Sequence, residues 1–230
     1  MSRVLCIGDT HCPAMLDEYP DFLAEMYDTW SCDRVVHIGD LADFHAISFH
    51  QKQFGLESIE QEIEDAREQV ARLTELFPEV DYLTGNHTAL PSRQAAEVGL
   101  PPSLLLSLSE ILQLPTGWTV HPRHYDLEID GVLYRHGDKG RSNQINAAFL
   151  NAQNEFRSVV QGHFHAQAGV VYGANQRDRY FGLQVGCGTD PRSLYMAYST
   201  VYSKRPLLGC GIVIDGDYAA FEPLMLENIR

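Results

Sequence analysis

At 230 residues, 44% hydrophobic and 21% charged, the chain has the composition of an ordinary globular protein able to bury a substantial core, and reads as one domain spanning 1–230. A formal charge of −14 speaks against a dedicated duplex binder, which needs a basic face, but not against an enzyme whose bound cations meet an anionic substrate. No apolar run is long enough to span a bilayer, MSRVLCIGD lacks the shape of a signal peptide, and the five scattered cysteines form no CxxC pair. Reduced thiols and a cytoplasmic location with no membrane partner are therefore expected.

In chain order, three early segments share one shape, an apolar β-type run that ends in glycine and a polar residue: VLCIGDTH (4–11), VVHIGDLAD (35–43) and VDYLTGNH (80–87). Helical patterns lie between them. PDFLAEMYDTW (20–30) sets Phe22, Leu23, Met26, Tyr27 and Trp30 at helical spacing. Residues 58–77 open on Ser58 with Gln61 as a capping box and carry the stripe Ile59, Ile63, Ala66, Val70, Leu73 and Phe77, with an acid-rich face read as solvated. Strand, helix, strand, helix, strand is the grammar of a parallel α/β half.

Beyond Pro115 the pattern changes. YDLEIDGVLYRHGD (125–138) reads as a hairpin around Asp130-Gly131, and residues 142–156 as a helix. SVVQGH, AGVVYG and RYFGLQVGCG read as strands, and residues 209–226 as a hairpin turning at Asp215-Gly216. This half is expected to be strand-rich and largely antiparallel. The pieces fit an α/β fold, a four-layer α/β/β/α sandwich of two mixed sheets flanked by helices. Ligands are then expected where the parallel strands end.

Those ends carry Asp9 and His11, Asp40 and Asp43, Asn86 and His87, His136, and His163 and His165, each group beside a glycine. In extended chain, residues i and i+2 face one side, so His163 and His165 share a target. Buried charges are rare unless paired or metal-bound, and five such ends in order are hard to explain as packing. Two carboxylates, an amide oxygen and four imidazoles form a mixed N/O set that suits Mn²⁺, Fe²⁺, Zn²⁺, Ni²⁺ or Co²⁺ and suits Ca²⁺ poorly. Seven donors fit two ions sharing a carboxylate, roughly 3.5–4 Å apart. Two divalent ions against Asp9 and Asp40 leave positive charge for an oxyanion such as phosphate. Metal lowers the pKa of water to about 7, so hydroxide is available as nucleophile. His87, next to a ligand but without a metal of its own, is placed to protonate the leaving alkoxide.

The ordered set D9-x-H11, G39-D40-x-x-D43, G85-N86-H87, H136 and G162-H163-x-H165 resembles the calcineurin-like metallophosphoesterase superfamily, over positions 9 to 165. The resemblance implies that Asp9, His11 and His165 hold one metal with Asp40 bridging, and that Asn86, His136 and His163 hold the second. It implies two transition-metal ions, Mn²⁺ foremost, with His87 as proton donor oriented by Asp43. It also marks departures. Thr88 stands where many relatives have an acid. Phe44 and Thr84 occupy positions where the superfamily's protein phosphatases carry arginines, which argues against that activity.

Phosphate contacts must then come from elsewhere. Candidates are Arg93, the HGDKGR loop with Lys139 and Arg141, and His45 and His50 in DFHAISFHQ. His37, inside a strand, reads as a core histidine. The expected activity is phosphodiester hydrolysis by a metal-bridging hydroxide, on a nucleotide or nucleic acid end. A phosphomonoesterase for small phosphate esters is the alternative, and a non-catalytic scaffold ranks last because the ligand set is complete. No obligate protein partner is evident.

Overall fold

Strand β1 (Arg3–Ile7) shows why the first motif reads as an unbroken apolar run. Leu5 and Ile7 join a core cluster beneath the helices, whereas Val4 and Cys6 join a second cluster between two sheets. A strand covered on both faces has no polar side to alternate with. Val35 and Val36 in β2 (Arg34–His37) divide in the same way. The computed structural model describes residues 1–49, 58–139, 146–195 and 205–226; His50 and Arg141 lie outside the described residues.

The helices of the first half cover the outer face of this sheet. Helix α1 (Tyr19–Thr29) has proline in its first turn, where its missing N–H costs nothing, and buries Tyr19 and Leu23. Helix α2 (Ile59–Leu76) is capped by Ser58, whose hydroxyl accepts from the Gln61 N–H at 3.3 Å. The other half of the anticipated capping box is not made: the Gln61 amide reaches forward to Asp65 at 2.8 Å. The helix gives way at Phe77, just before Pro78, which disfavours helical backbone in the residue ahead of it.

After β3 (Val80–Leu83) come helices α3 (Leu90–Glu97) and α4 (Leu108–Leu112) and the four-residue strand β4 (Trp118–His121). β4 escaped the sequence reading because it is short and lies between Gly117 and Pro122. The chain continues through β5 (Leu127–Ile129), β6 (Val132–Arg135), α5 (Ala147–Glu155), β7 (Val159–Gln161), β8 (Ala168–Ala174), β9 (Arg179–Val185), β10 (Gly209–Ile214) and β11 (Tyr218–Pro223). One sheet has the order β11-β10-β1-β2-β3-β4 and the other β5-β6-β7-β9-β8. Residues from both sheets form the cluster between them, and α5 lies on the outer face of the second sheet over Leu133 and Val159. The fold is thus a four-layer α/β/β/α sandwich.

The second half differs from expectation in strand direction. β6, β7 and β9 run parallel, and only β5 and β8 are antiparallel to their neighbours within that sheet. Helix α5 is the crossover that returns the chain from β6 to β7, and alternation in a sequence carries no information on direction. The 209–226 hairpin pairs with β1 and belongs to the first sheet. Among the described residues no single helix is long and apolar enough to cross a membrane.

Leu5 is fully buried between the first sheet and its helices. Leu5→Ala should therefore destabilise the fold by about 2–5 kcal/mol, read from urea unfolding. A loss below about 1 kcal/mol would contradict the packing described.

Candidate metal centre

β1, β2 and β3 are parallel neighbours in one sheet, and β6 and β7 are parallel neighbours in the other. Their carboxyl ends meet at one edge, and the loops leaving them carry all nine residues singled out in the motifs. Ligand atoms of Asp9, His11 and His165 lie within 4.8 Å of one another, as do those of Asp40, His136 and His163, and those of His11, Asp43 and His87. The Asn86 side-chain oxygen stands 3.0 Å from His136 Nε2.

Close approach is built into the backbone. A Cβ at Gly85 would collide with the Asp40 carboxylate, and one at Gly162 would sit 2.5 Å from Asp9 Oδ1. Both positions need glycine for space. His11, Asp40 and His163 adopt left-handed backbone at φ 47°, 44° and 68°. Such conformations cost roughly 1–3 kcal/mol each in non-glycine residues and gather at functional sites.

Hydrogen bonds hold the carboxylates in place. Asp40 Oδ1 accepts from the His87 N–H at 2.8 Å and the Thr88 N–H at 3.2 Å, and its Oδ2 lies 3.2 Å from His136 Nε2. Asp9 Oδ2 accepts from the His163 N–H at 3.1 Å and lies 3.0 Å from His165 Nε2. Asp43 Oδ1 meets both His11 Nδ1 at 2.6 Å and His87 Nδ1 at 2.8 Å.

The decisive atom is His11 Nε2. It is buried and has no hydrogen-bond partner among the described residues. The His11 Nδ1 is 2.6 Å from Asp43 Oδ1, and Nε2 lies 4.0 Å from Asp9 Oδ2 and 3.9 Å from Asp40 Oδ2, beyond hydrogen-bond reach of either. A buried imidazole nitrogen that faces two buried carboxylates without bonding either is an arrangement that a cation between them would complete. The donor set therefore fits metal, and the two clusters sharing this edge are compatible with a dinuclear site. His87 and His165 are 14% and 19% exposed, so the cluster opens to solvent on their side.

Within the cluster, the imidazoles and carboxylates shift one another's ionisation. Burial alone would lower the His136 pKa, but the charges of Asp40 and Asp9 raise it to about 9. Burial would raise Asp9, yet the His136 charge and the His165 hydrogen bond bring it down to about 2. Asp40 and Asp43 are likewise held low against burial, Asp40 by the His136 charge and Asp43 by its bonds to His11 and His87. Burial also opposes protonation of His87, but the Asp43 hydrogen bond and the Asp40 charge lift it to about 9. Burial and the charge of His136 push His163 down to about 4.

The chain resembles the calcineurin-like metallophosphoesterases. It does so in the order of its motifs, in its pair of facing sheets and in the convergence of the motif residues at one edge. No protein-family model matches the chain, and no curated protein does. Among solved structures it is similar to a single-site variant of Vps29 from Entamoeba histolytica, at 15% identity over 94% of this chain and 87% of that one, with a TM-score of 0.46. It is also similar to YfcE, a phosphoesterase from E. coli, at 13% identity over 96% and 98%, with a TM-score of 0.45. A third is the nuclease MPE from Pseudomonas putida, at 14% identity over 96% and 87%, with a TM-score of 0.29.

The candidate substrate contacts fare differently from one another. Arg93 donates to the Asn86 carbonyl at 3.1 Å and lies over the Phe49 ring at 4.9 Å. Lys139, three residues after His136, is exposed. His45 is buried rather than displayed, with Nδ1 3.7 Å from Asp43 Oδ2 and its ring edge-on to Tyr195. His37 is a core histidine, hydrogen-bonded by Thr10 and the Gly39 N–H and pushed by burial down to about 3. Thr88 bonds the Ala42 carbonyl and accepts from its N–H, which ties the second and third motifs together.

Glu62 was missed. It is buried, and its two oxygens accept from the His45 and Ala46 N–H groups at 2.6 and 2.9 Å, so α2 anchors the turn after Asp43. The signal was available: position 62 falls on the apolar stripe between Ile59 and Ala66, where an acid is out of place.

A divalent ion held by His136 would have to displace its proton, so affinity for such an ion should rise by up to about tenfold per pH unit towards pH 9, with proton release. The raised pKa means that this proton stabilises the metal-free fold below about 6.5, a contribution lost as pH climbs through about 9. The gain in Tm on adding Mn²⁺ should accordingly be larger at pH 9 than at pH 6. Calorimetry in buffers of different ionisation enthalpy reads the proton release directly, and pH-independent binding would contradict this electrostatic account.

Proposed function

We propose that the chain is a dinuclear-metal-dependent phosphoesterase of the calcineurin-like kind that prefers phosphodiesters. The observation that carries this reading is the buried His11 Nε2, without a hydrogen-bond partner among the described residues and facing the carboxylates of Asp9 and Asp40. In this reading Asp9, His11 and His165 hold one ion, Asn86, His136 and His163 hold the other, and Asp40 serves both. Two divalent ions, Mn²⁺ foremost, would supply positive charge for the ester's oxygens and an activated water as nucleophile.

The protein's own groups do the rest. Asp43 fixes the tautomer and orientation of His87 through Nδ1, which leaves Nε2 to donate a proton to the departing oxygen. Arg93 has no carboxylate partner among the described residues and is tethered to Asn86, so its guanidinium serves the non-reacting phosphate oxygens. Phe44 is buried and Thr84 is bonded to the His121 carbonyl, so neither supplies a further cation. A singly charged diester fits so sparse a clamp better than a doubly charged monoester. A nucleotide or nucleic acid end is the favoured class, and positive charge at the metals offsets the acidic surface.

Turnover of bis-nitrophenyl phosphate against nitrophenyl phosphate in Mn²⁺ tests the preference. The diester should be the better substrate; the reverse makes the protein a phosphomonoesterase, and no turnover of either revives a scaffold role. Asp40→Asn should lose metal and nearly all turnover. His87→Ala should keep its metal and lose about 10²–10⁴-fold on an alkyl ester, but far less on a nitrophenyl ester, whose leaving group needs no proton. Equal losses on both esters would remove His87 from the proton-donor role.

A further inference from the structure

Beneath α5 runs a chain of buried amides that the proposed chemistry does not use. Asn151 on α5 donates to Gln161 on β7 at 2.7 Å, Gln161 donates to Gln184 on β9 at 3.2 Å, and Gln184 donates to the Gly162 carbonyl. All three side chains are buried, in a layer whose other members include Leu133, Ala152 and Val159. Aliphatic residues would suit that layer, and each amide is kept only by being hydrogen-bonded.

The chain ends on the peptide where the metal centre converges. Gly162 donates its N–H to the His136 carbonyl at 2.9 Å, its missing Cβ makes room for Asp9, and the next N–H, that of His163, bonds Asp9. The Gln161 side chain also lies 3.3 Å from where a Cβ on Gly137 would be, directly behind His136. The two peptides that flank the Gly162 Cα thus set the relative positions of His136, His163 and Asp9, and the Gly162 carbonyl accepts both from Gln184, on the side facing α5, and from the Phe164 N–H at 2.8 Å.

We propose that Gln184 is a positioning residue for the metal centre: by holding the Gly162 carbonyl, and itself held through Gln161 and Asn151, it sets the His136–His163 half of the site. This rests on the dinuclear reading above and adds to it a structural link from α5 to one of the two ions. Supports of this kind behind metal ligands are commonly worth 10–100-fold in metal affinity.

The test is Mn²⁺ titration of the full chain by calorimetry, with amide hydrogen exchange at His163 in the metal-free protein. Gln184→Met keeps the length and removes the donor. It should weaken one of two binding steps by about 10–100-fold, leave the other unchanged and speed exchange at His163. Val159→Ala, in the same layer but outside the amide chain, is the control for plain destabilisation: it should lower Tm and leave both steps intact. If Gln184→Met does not fold, Asn151→Ala removes the outermost amide and should weaken the same step to a smaller degree. Wild-type binding by Gln184→Met, an equal loss in Val159→Ala, or no change in Asn151→Ala overturns the positioning role. Absence of any binding step in the wild-type chain overturns the dinuclear reading itself.

Discussion

The architecture turns on two carboxylates, Asp9 and Asp40, buried side by side with the His11 Nε2 atom within 4.0 Å of both. Such a group is costly in a protein interior unless opposite charge accompanies it. The same carboxylates push neighbouring imidazoles up against burial, His136 through the charges of Asp40 and Asp9 and His87 through its bond to Asp43 and the charge of Asp40. His11 Nε2 has no hydrogen-bond partner among the described residues. A buried ring nitrogen left unbonded beside two carboxylates is what a cation site explains and a closed salt-bridge network does not.

The sandwich is what makes this concentration of charge attainable. Parallel strands of both sheets end at one edge, so residues as distant in sequence as Asp9 and His165 become neighbours on short, stiff loops. The sheets are held face to face by the cluster containing Val4, Cys6, Val160 and Leu183. Three further supports reach the edge from outside it. Thr88 ties the second motif to the third, Glu62 anchors the turn after Asp43 from α2, and the amide chain under α5 clamps Gly162. Both flanking helix layers therefore take part in setting the site.

Much of this was legible in the residues alone, because the motifs are short, ordered and attached to apolar runs of unmistakable period. The parallel first half, the layer arrangement and the convergence of the nine motif residues all follow from that pattern. Strand direction in the second sheet did not, since an alternating run looks the same whichever way it points. Nor did the fate of His45, because whether a loop residue turns inward depends on contacts with α2 that lie seventeen positions away. Gln161 and Gln184 look like ordinary polar strand residues; only the register of β7 against β9 pairs them. Glu62 is the exception that stood in plain view, an acid on an apolar stripe.

The central claim is that cations complete this edge of the molecule. Crystals grown with Mn²⁺ and measured at the manganese absorption edge would locate them without reference to activity. The account predicts two anomalous peaks, one among Asp9, His11 and His165 and one among Asn86, His136 and His163, with Asp40 between them. A single peak elsewhere, or a well-ordered site with no peak at all, would contradict it.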